Sequence, residues 1–210
     1  MAEPIGRSSP QQRVLAFFLS ERRRAILGSA ARVLTLEGPF AGAPVLEARE
    51  YDGAWLAPEG IGGVDLAVLG ERVARVLPPG APIVCVVVGP CPLPGLLECA
   101  LTGEGEVRGA LGSRVEGSPA RGVTAGELKR AFGPAFAWRR AYALGVLMPP
   151  PSRGDWAARH PLAFGALAAT EHVVRGWPLL RALGAWTVLE GERTGSARAT
   201  PAGGGAGRVL

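Results

Sequence analysis

Lysine, histidine and cysteine are scarce in this chain of 210 residues, and each scarcity excludes a class of protein. The cysteines, Cys85, Cys91 and Cys99, are an odd number without Cys-x-x-Cys spacing, which favours free thiols in a reducing compartment. The histidines, His160 and His172, belong to no metal-spaced ligand set. No Ser-His-Asp order or phosphate-binding Walker loop is present either. The sequence therefore predicts no metal site and assigns no catalytic residue.

Basic charge is carried almost entirely by arginine, since Lys129 is the one lysine although the net charge is +5. The arginines are scattered along the chain, which is the bias of a GC-rich genome rather than of a phosphate-binding surface. The one basic run, Arg22 to Arg24, is interpreted as the solvated face of a helix. We therefore expect no nucleic-acid partner.

The chain also lacks a long uninterrupted apolar segment. The uncharged, mainly apolar stretch over residues 81–97 contains four prolines. A helix that spans a bilayer needs about 20 apolar residues and tolerates prolines poorly. The N-terminus lacks the charged-then-apolar pattern of a signal peptide. We expect a cytoplasmic protein with no membrane partner.

The length suits one ordinary domain, and the 31 glycines and 19 prolines separate apolar runs rather than cluster. We expect a single α/β domain over residues 11–191. A loose leader over residues 1–10 precedes it, and a disordered tail over residues 192–210 follows.

Hydrophobic periodicity predicts alternating helices and strands. Asp65 and Thr124 are the predicted caps of two helices, the second with a capping box to Glu127. The order strand–helix–strand over residues 50–88 predicts a parallel unit with a right-handed crossover. The predicted strands are 32–36, 50–56, 83–88, 136–147 and 185–189, and the predicted helices are 11–30, 65–77, 90–101, 124–132, 161–175 and 178–183.

Several weak motifs then occur in a specific order between Glu50 and Arg193. They are Tyr51-Asp52-Gly53-Ala54, the run Arg75 to Ala81, Thr124 to Leu128, His160-Pro161 and Pro178 to Gly184. This ordered set resembles the class I S-adenosylmethionine-dependent methyltransferases that act on small molecules, often called type 11.

The resemblance implies a Rossmann-like methyltransferase sheet, mostly parallel with one antiparallel late strand. The implied strand order is 32–36, 51–56, 83–88, 185–190 and 136–147. The first four are expected to be parallel, and 136–147 is expected to be the antiparallel strand at the edge.

The N-terminal half departs from the family, in which a glycine-rich loop follows the first strand and holds the cofactor S-adenosylmethionine. Only 13 residues separate Glu37 from Tyr51, too few for the family's second and third strands. Pro39 also removes a backbone donor. The sheet is therefore expected to be truncated and the cofactor site degenerate. By resemblance the remaining cofactor positions are Glu37, Gly38 and Gly42, and Glu59 lies on the acceptor side. The plain alternatives are a strand-to-loop turn and a solvated carboxylate.

Three functions follow from this departure. The first is a non-catalytic or partner subunit with weak or lost binding of S-adenosylmethionine. The second is an active methyltransferase with a small-molecule acceptor, and the third is a reshaped pocket that binds or converts another small molecule without the cofactor. We expect a homodimer or a complex with a larger methyltransferase-like partner, through the N-terminal third. Apolar residues Val33, Leu34 and Leu36 would lie on an uncovered edge strand there.

Overall fold

A computed structural model gives the fold of this protein. It describes residues 10–36, 51–57, 61, 64–89, 93, 123–149, 154–180 and 183–195. The helices are α1 (Pro10–Leu27), α2 (Leu66–Val76), α3 (Ala125–Phe132), α4 (Gly154–Arg159) and α5 (Pro161–Val174). The strands are β1 (Val33–Leu36), β2 (Gly53–Leu56), β3 (Pro82–Val88), β4 (Phe136–Leu144) and β5 (Trp186–Arg193).

The strands form one five-stranded sheet in the order β1-β2-β3-β5-β4. Strands β1, β2 and β3 are parallel, whereas β5 is antiparallel to both of its neighbours. The predicted strand order is confirmed, as is the fold class: an α/β protein with a mostly parallel sheet and one antiparallel late strand.

The predicted directions of the last two strands are wrong, because β4 runs with β1 to β3 and β5 is the antiparallel strand. Strand β4 ends at Leu144, and β5 begins at Trp186, which pairs with Leu144. The chain therefore enters β5 at the same end of the sheet at which it left β4. The amide of Ala185 also donates to the carbonyl of Gly145 at 3.4 Å. A connection that returns to the edge it left joins antiparallel strands.

Most element boundaries lie within a few residues of the prediction, with two larger differences. Strand β5 continues through Arg193, past the predicted domain end at residue 191, because the amide of Arg193 donates to the carbonyl of Ala81 at 2.9 Å. Helix α4 was not predicted, and the predicted helix over 178–183 is a short 3₁₀ turn, Pro178–Leu180.

Some of the predictions fall on residues that the structure does not describe. Residues 1–9, 37–50, 94–122 and 196–210 are among these, and they include most of the predicted leader, the predicted tail and the predicted 90–101 helix.

Helices α2 and α3 cover one face of the sheet. The predicted caps are confirmed: Asp65 accepts from the amides of Ala67 and Val68, and Thr124 and Glu127 form a capping box. Leu34 and Leu36 of β1 are 5% and 8% exposed and belong to this core. The side chains of Leu34 and Leu36 are therefore covered, while β1 remains the edge strand of the described sheet, as expected.

Helix α1 covers the opposite face, where Phe18 and Leu27 pack in a cluster with Trp55 and neighbouring strand residues. The basic run of α1 is not uniformly solvated, which corrects the prediction. The Arg22 side chain is 15% exposed and pairs with Glu190 of β5, whereas Arg24 is exposed. No helix in the described ranges is long and apolar enough to cross a membrane.

Candidate functional site

The carboxyl ends of β1, β2, β3 and β4 lie side by side, because these four strands share a direction. This row of strand ends is the carboxyl edge of the sheet, as distinct from its edge strands β1 and β4. Open α/β sheets bind their ligands in the crevice outside this edge. The predicted cofactor and acceptor segments both begin here. This edge is therefore the candidate site.

Two of these strand ends are directly joined. The amide of Ala57, just after β2, donates to the carbonyl of Leu36, the last residue of β1, at 2.9 Å. The segments that follow them in sequence leave the sheet from adjacent points. The predicted site residues belong to these segments and lie outside the described residues: Glu37, Gly38, Gly42 and Glu59.

On its other side, β1 pairs with no further strand in the part of the chain that the structure describes. Dinucleotide-binding sheets hold the ribose hydroxyls with an acidic residue about 20 residues past the glycine-rich turn. Here β2 follows β1 after 16 connecting residues, 37–52, and pairs with it directly. The acidic residue at the start of β2, Asp52, accepts from the amide of Arg32 at 2.9 Å, at the opposite edge of the sheet. Asp52 is therefore not placed to hold the ribose of S-adenosylmethionine, and the carboxylates nearest the carboxyl ends of β1 and β2 in the sequence, Glu37 and Glu59, lie outside the described residues.

Glu171 of α5 is the one fully buried carboxylate among the described residues, and it lies just past the end of β4. Its Oε1 accepts from the amide of Val146 at 3.1 Å, and its Oε2 accepts from the amide of Leu147 at 2.8 Å. Both oxygens are thus committed to the backbone that leaves β4. Glu171 therefore fixes the backbone just after β4, and it is not available as a general base.

The end of β3 is closed by backbone. The amide of Gly89 donates to the carbonyl of Ala185 at 2.8 Å. A Cβ on Gly89 would lie 1.7 Å from the carbonyl oxygen of Gly184, so a residue with a side chain cannot occupy this position without moving the chain. Any ligand at this edge must therefore lie towards β1 and β2.

A groove of about 830 Å³ lies at the opposite edge, between α2 and α3. Arg75, Arg130 and Arg193 line it. Arg193 already donates to the carbonyls of Ala74 and Ala135, at 3.0 and 3.3 Å, and so holds the two helices together. This groove lies at the other end of the strands from the candidate site, and Arg193 has a structural role in it.

Three further reactive side chains, Cys85, His160 and His172, lie in the part of the chain that the structure describes. Burial raises the pKa of the Cys85 thiol well above its ordinary value, which keeps it protonated and unreactive. His160 precedes α5 without a capping hydrogen bond from its side chain and its ring contacts Trp156, while His172 contacts Phe18. Within the described ranges, no three His, Cys, Asp or Glu side chains could hold a metal ion.

The sequence reasoning missed Glu171 and Gly89. Glu171 had a visible signal, since it is the one acidic residue in the mainly apolar segment 161–174. Gly89 also had one, as a glycine that directly follows a buried strand. Neither signal identifies the backbone groups that these residues contact.

No family model and no curated protein matches this sequence. Among solved structures, a similar chain is that of a candidate sarcosine dimethylglycine methyltransferase from Galdieria sulphuraria, with a TM-score of 0.40 and 12% sequence identity. The aligned region covers 75% of this chain and 58% of that chain. A structural similarity at this level bears on the fold alone, and no residue of this chain is assigned a role from it.

Proposed function

We propose that this chain is a non-catalytic protein with a methyltransferase-like fold, in which binding of S-adenosylmethionine is weak or lost and the fold serves as a subunit. The observation that carries the proposal is the short connection of 16 residues, 37–52, between β1 and β2, which pair directly. A connection of this length has no room for the further strands that the resemblance implies between β1 and β2 along the chain. Among the described strands, no neighbour of β1 brings a carboxylate to the ribose.

The energetic consequence is large. Each polar group of a bound ligand that loses its partner costs about 1–3 kcal/mol. The ribose hydroxyls and the adenine edge together lose two or three partners, which weakens binding by several orders of magnitude. Methyl transfer depends on approximation of an acceptor to the sulfonium methyl, so a weakly held cofactor removes most of the rate enhancement.

The described part of the carboxyl edge supports the same conclusion. Glu171 uses both carboxylate oxygens on backbone amides, and the contact between Gly89 and Gly184 closes the end of β3. Neither feature offers a free acid–base group. No observation on the described residues favours a reshaped small-molecule pocket at this edge.

A thermal-shift measurement tests the proposal. A ligand at 100 times its dissociation constant stabilises a protein by about 2.7 kcal/mol, which raises the melting temperature by several degrees. We expect no shift with S-adenosylmethionine or S-adenosylhomocysteine at about 1 mM, while an intact class I methyltransferase shifts under the same conditions. A clear rise in the melting temperature of this protein would contradict the proposal.

A further inference from the structure

The groove between α2 and α3 has the size of a small-molecule site. Its volume of about 830 Å³ lies within the roughly 300–1,000 Å³ that is usual for ligand pockets. Small and apolar side chains from both helices line it, among them Ala67, Gly70, Ala74, Ala131 and Phe132. Gly70 and Phe132 are buried where the helices meet, and a Cβ on Gly70 would lie 3.1 Å from Cδ2 of Phe132. Two packed helices therefore form this groove.

Positive charge is concentrated around the groove. Three arginines line it, and each comes from a different element: Arg75 from α2, Arg130 from α3 and Arg193 from β5. Glu71 is the one acidic residue among the described residues of the lining. Three arginines against one glutamate leave an excess of two positive charges. A concave surface with charge of one sign raises the local concentration of ligands with the opposite charge.

Glu71 neutralises this charge only weakly. Its Oε2 lies 3.9 Å from Nη2 of Arg75, and the two side chains are 52% and 78% exposed. An exposed ion pair at this separation contributes little and is screened by salt. Arg130 is also exposed, on the last turn of α3. Both guanidinium groups can therefore approach a ligand without leaving a buried contact.

Arg193 adds a donor that the fold already holds in place. Its Nε donates to the carbonyl of Ala74 at 3.0 Å, and its Nη1 donates to the carbonyls of Ala135, at 3.3 Å, and Thr194. Nη2 donates to no acceptor among the described residues. One side of the guanidinium is thus fixed on backbone carbonyls, and the other side keeps its donors. A donor that is already ordered loses little conformational freedom when a ligand binds.

We propose that this groove binds a small organic phosphate. Arg75, Arg130 and Nη2 of Arg193 hold the phosphate group, and the organic part lies on the apolar lining. The paired donors of a guanidinium match the oxygens of a phosphate. A phosphate monoester carries about −1.5 to −2 charges at neutral pH, close to the excess of the groove. The groove lies at the other end of the strands from the carboxyl edge, so this proposal is independent of the binding of S-adenosylmethionine.

Phenyl phosphate is a suitable probe, because it joins a phosphate monoester to an apolar ring. NMR of the ¹⁵N-labelled full chain follows its titration to about 20 mM, and we expect saturable shifts at the amides of Gly70, Ala74, Ala131 and Gly133, with a dissociation constant of about 5 mM or lower. Inorganic phosphate lacks the ring and phenol lacks the charge, so each binds several-fold more weakly. Sodium chloride at about 1 M weakens the binding of phenyl phosphate, because it screens exposed charges.

Charge-removing variants locate the site. Arg75→Gln and Arg130→Gln are each expected to raise the dissociation constant about threefold to fivefold, and the double variant about tenfold or more. Arg13→Gln is the matched control, because it removes the same charge from an exposed position on α1, on the opposite face of the sheet. It leaves the dissociation constant unchanged. Arg193 is kept because it holds the two helices, and melting temperatures check that every variant folds.

Several results would overturn the proposal. Shifts that do not saturate, or that lie away from the groove, would show that phenyl phosphate has no site there. Binding of phenol or of inorganic phosphate with equal affinity would remove the role of the charge or of the apolar lining. An equal loss of affinity in Arg13→Gln and Arg130→Gln would show attraction to the net charge of the protein alone.

Discussion

Nε of Arg22 donates to Oε1 of Glu190 at 2.7 Å and joins the first helix to the last strand across 168 residues of sequence. The Glu190 side chain is 5% exposed. The guanidinium also lies 4.6 Å from the centre of the Tyr142 ring. Helix α1 is thus held on the sheet by a buried ion pair as well as by its apolar residues.

Removal of one partner of this pair leaves an uncompensated buried charge. Arg22→Met is expected to lower the free energy of unfolding by about 3 kcal/mol, since breaking buried pairs costs about 3–5 kcal/mol and Arg22 keeps some solvent contact. The double variant Arg22→Met, Glu190→Leu loses much less, because no charge remains buried. Urea denaturation measures both, and Arg24→Met, two residues along the same helix but exposed, is the neutral control. Equal losses for the single and double variants would contradict the pairing.

Glu171 accepts from two backbone amides, of which that of Val146 is buried and that of Leu147 is partly buried. Glu171→Ala leaves the amides of Val146 and Leu147 without acceptors and is expected to destabilise the fold by about 1–3 kcal/mol for each. Glu71→Gln, on the exposed surface of α2, changes stability by less than about 0.5 kcal/mol. Native-state hydrogen exchange locates the effect, with faster exchange at Val146 and Leu147. Unchanged exchange there would show that Glu171 does not hold this rim.

The ion pair between Arg139 and Glu192 predicts a local pH dependence. The hydrogen bond from Arg139 lowers the pKa of the Glu192 carboxyl below its ordinary value of 4.5. A carboxyl with a lowered folded-state pKa contributes stability above its unfolded-state pKa, and this stability is lost as the pH falls through the folded-state value. Arg139→Gln returns the pKa of Glu192 towards 4.5, as NMR titration of its side chain would show. Arg130→Gln, exposed on α3, leaves that titration unchanged; an unshifted Glu192 in Arg139→Gln would refute the assignment.

The parts of the fold that the sequence predicts well are local. Asp65 and Thr124 cap their helices through amides two or three residues away, so the pattern alone contains both partners. The apolar strands also pair in the predicted order. Short-range geometry is sufficient for the two caps, whereas the strand order, which pairs β3 with the distant β5, was implied by the resemblance.

The parts that the sequence does not predict depend on distant partners. Arg22 belongs to a run of charges that is typical of a solvated face, and its burial follows from a carboxylate on the last strand. The direction of β5 depends on the return of the chain past Gly145 to the edge it left. In the candidate site, the predicted residues Glu37 and Glu59 remain predictions, and only the strand ends beside them are described.

Isothermal titration calorimetry with S-adenosylmethionine tests the central claim most directly. Because β1 pairs with no strand other than β2 among the described residues, the proposal predicts no measurable heat of binding, with a dissociation constant above about 1 mM, which corresponds to about 4 kcal/mol. The titration uses the full chain at a concentration where light scattering defines its oligomeric state, so that self-association does not mask binding. A stoichiometric binding isotherm with a dissociation constant below about 1 µM would contradict the account.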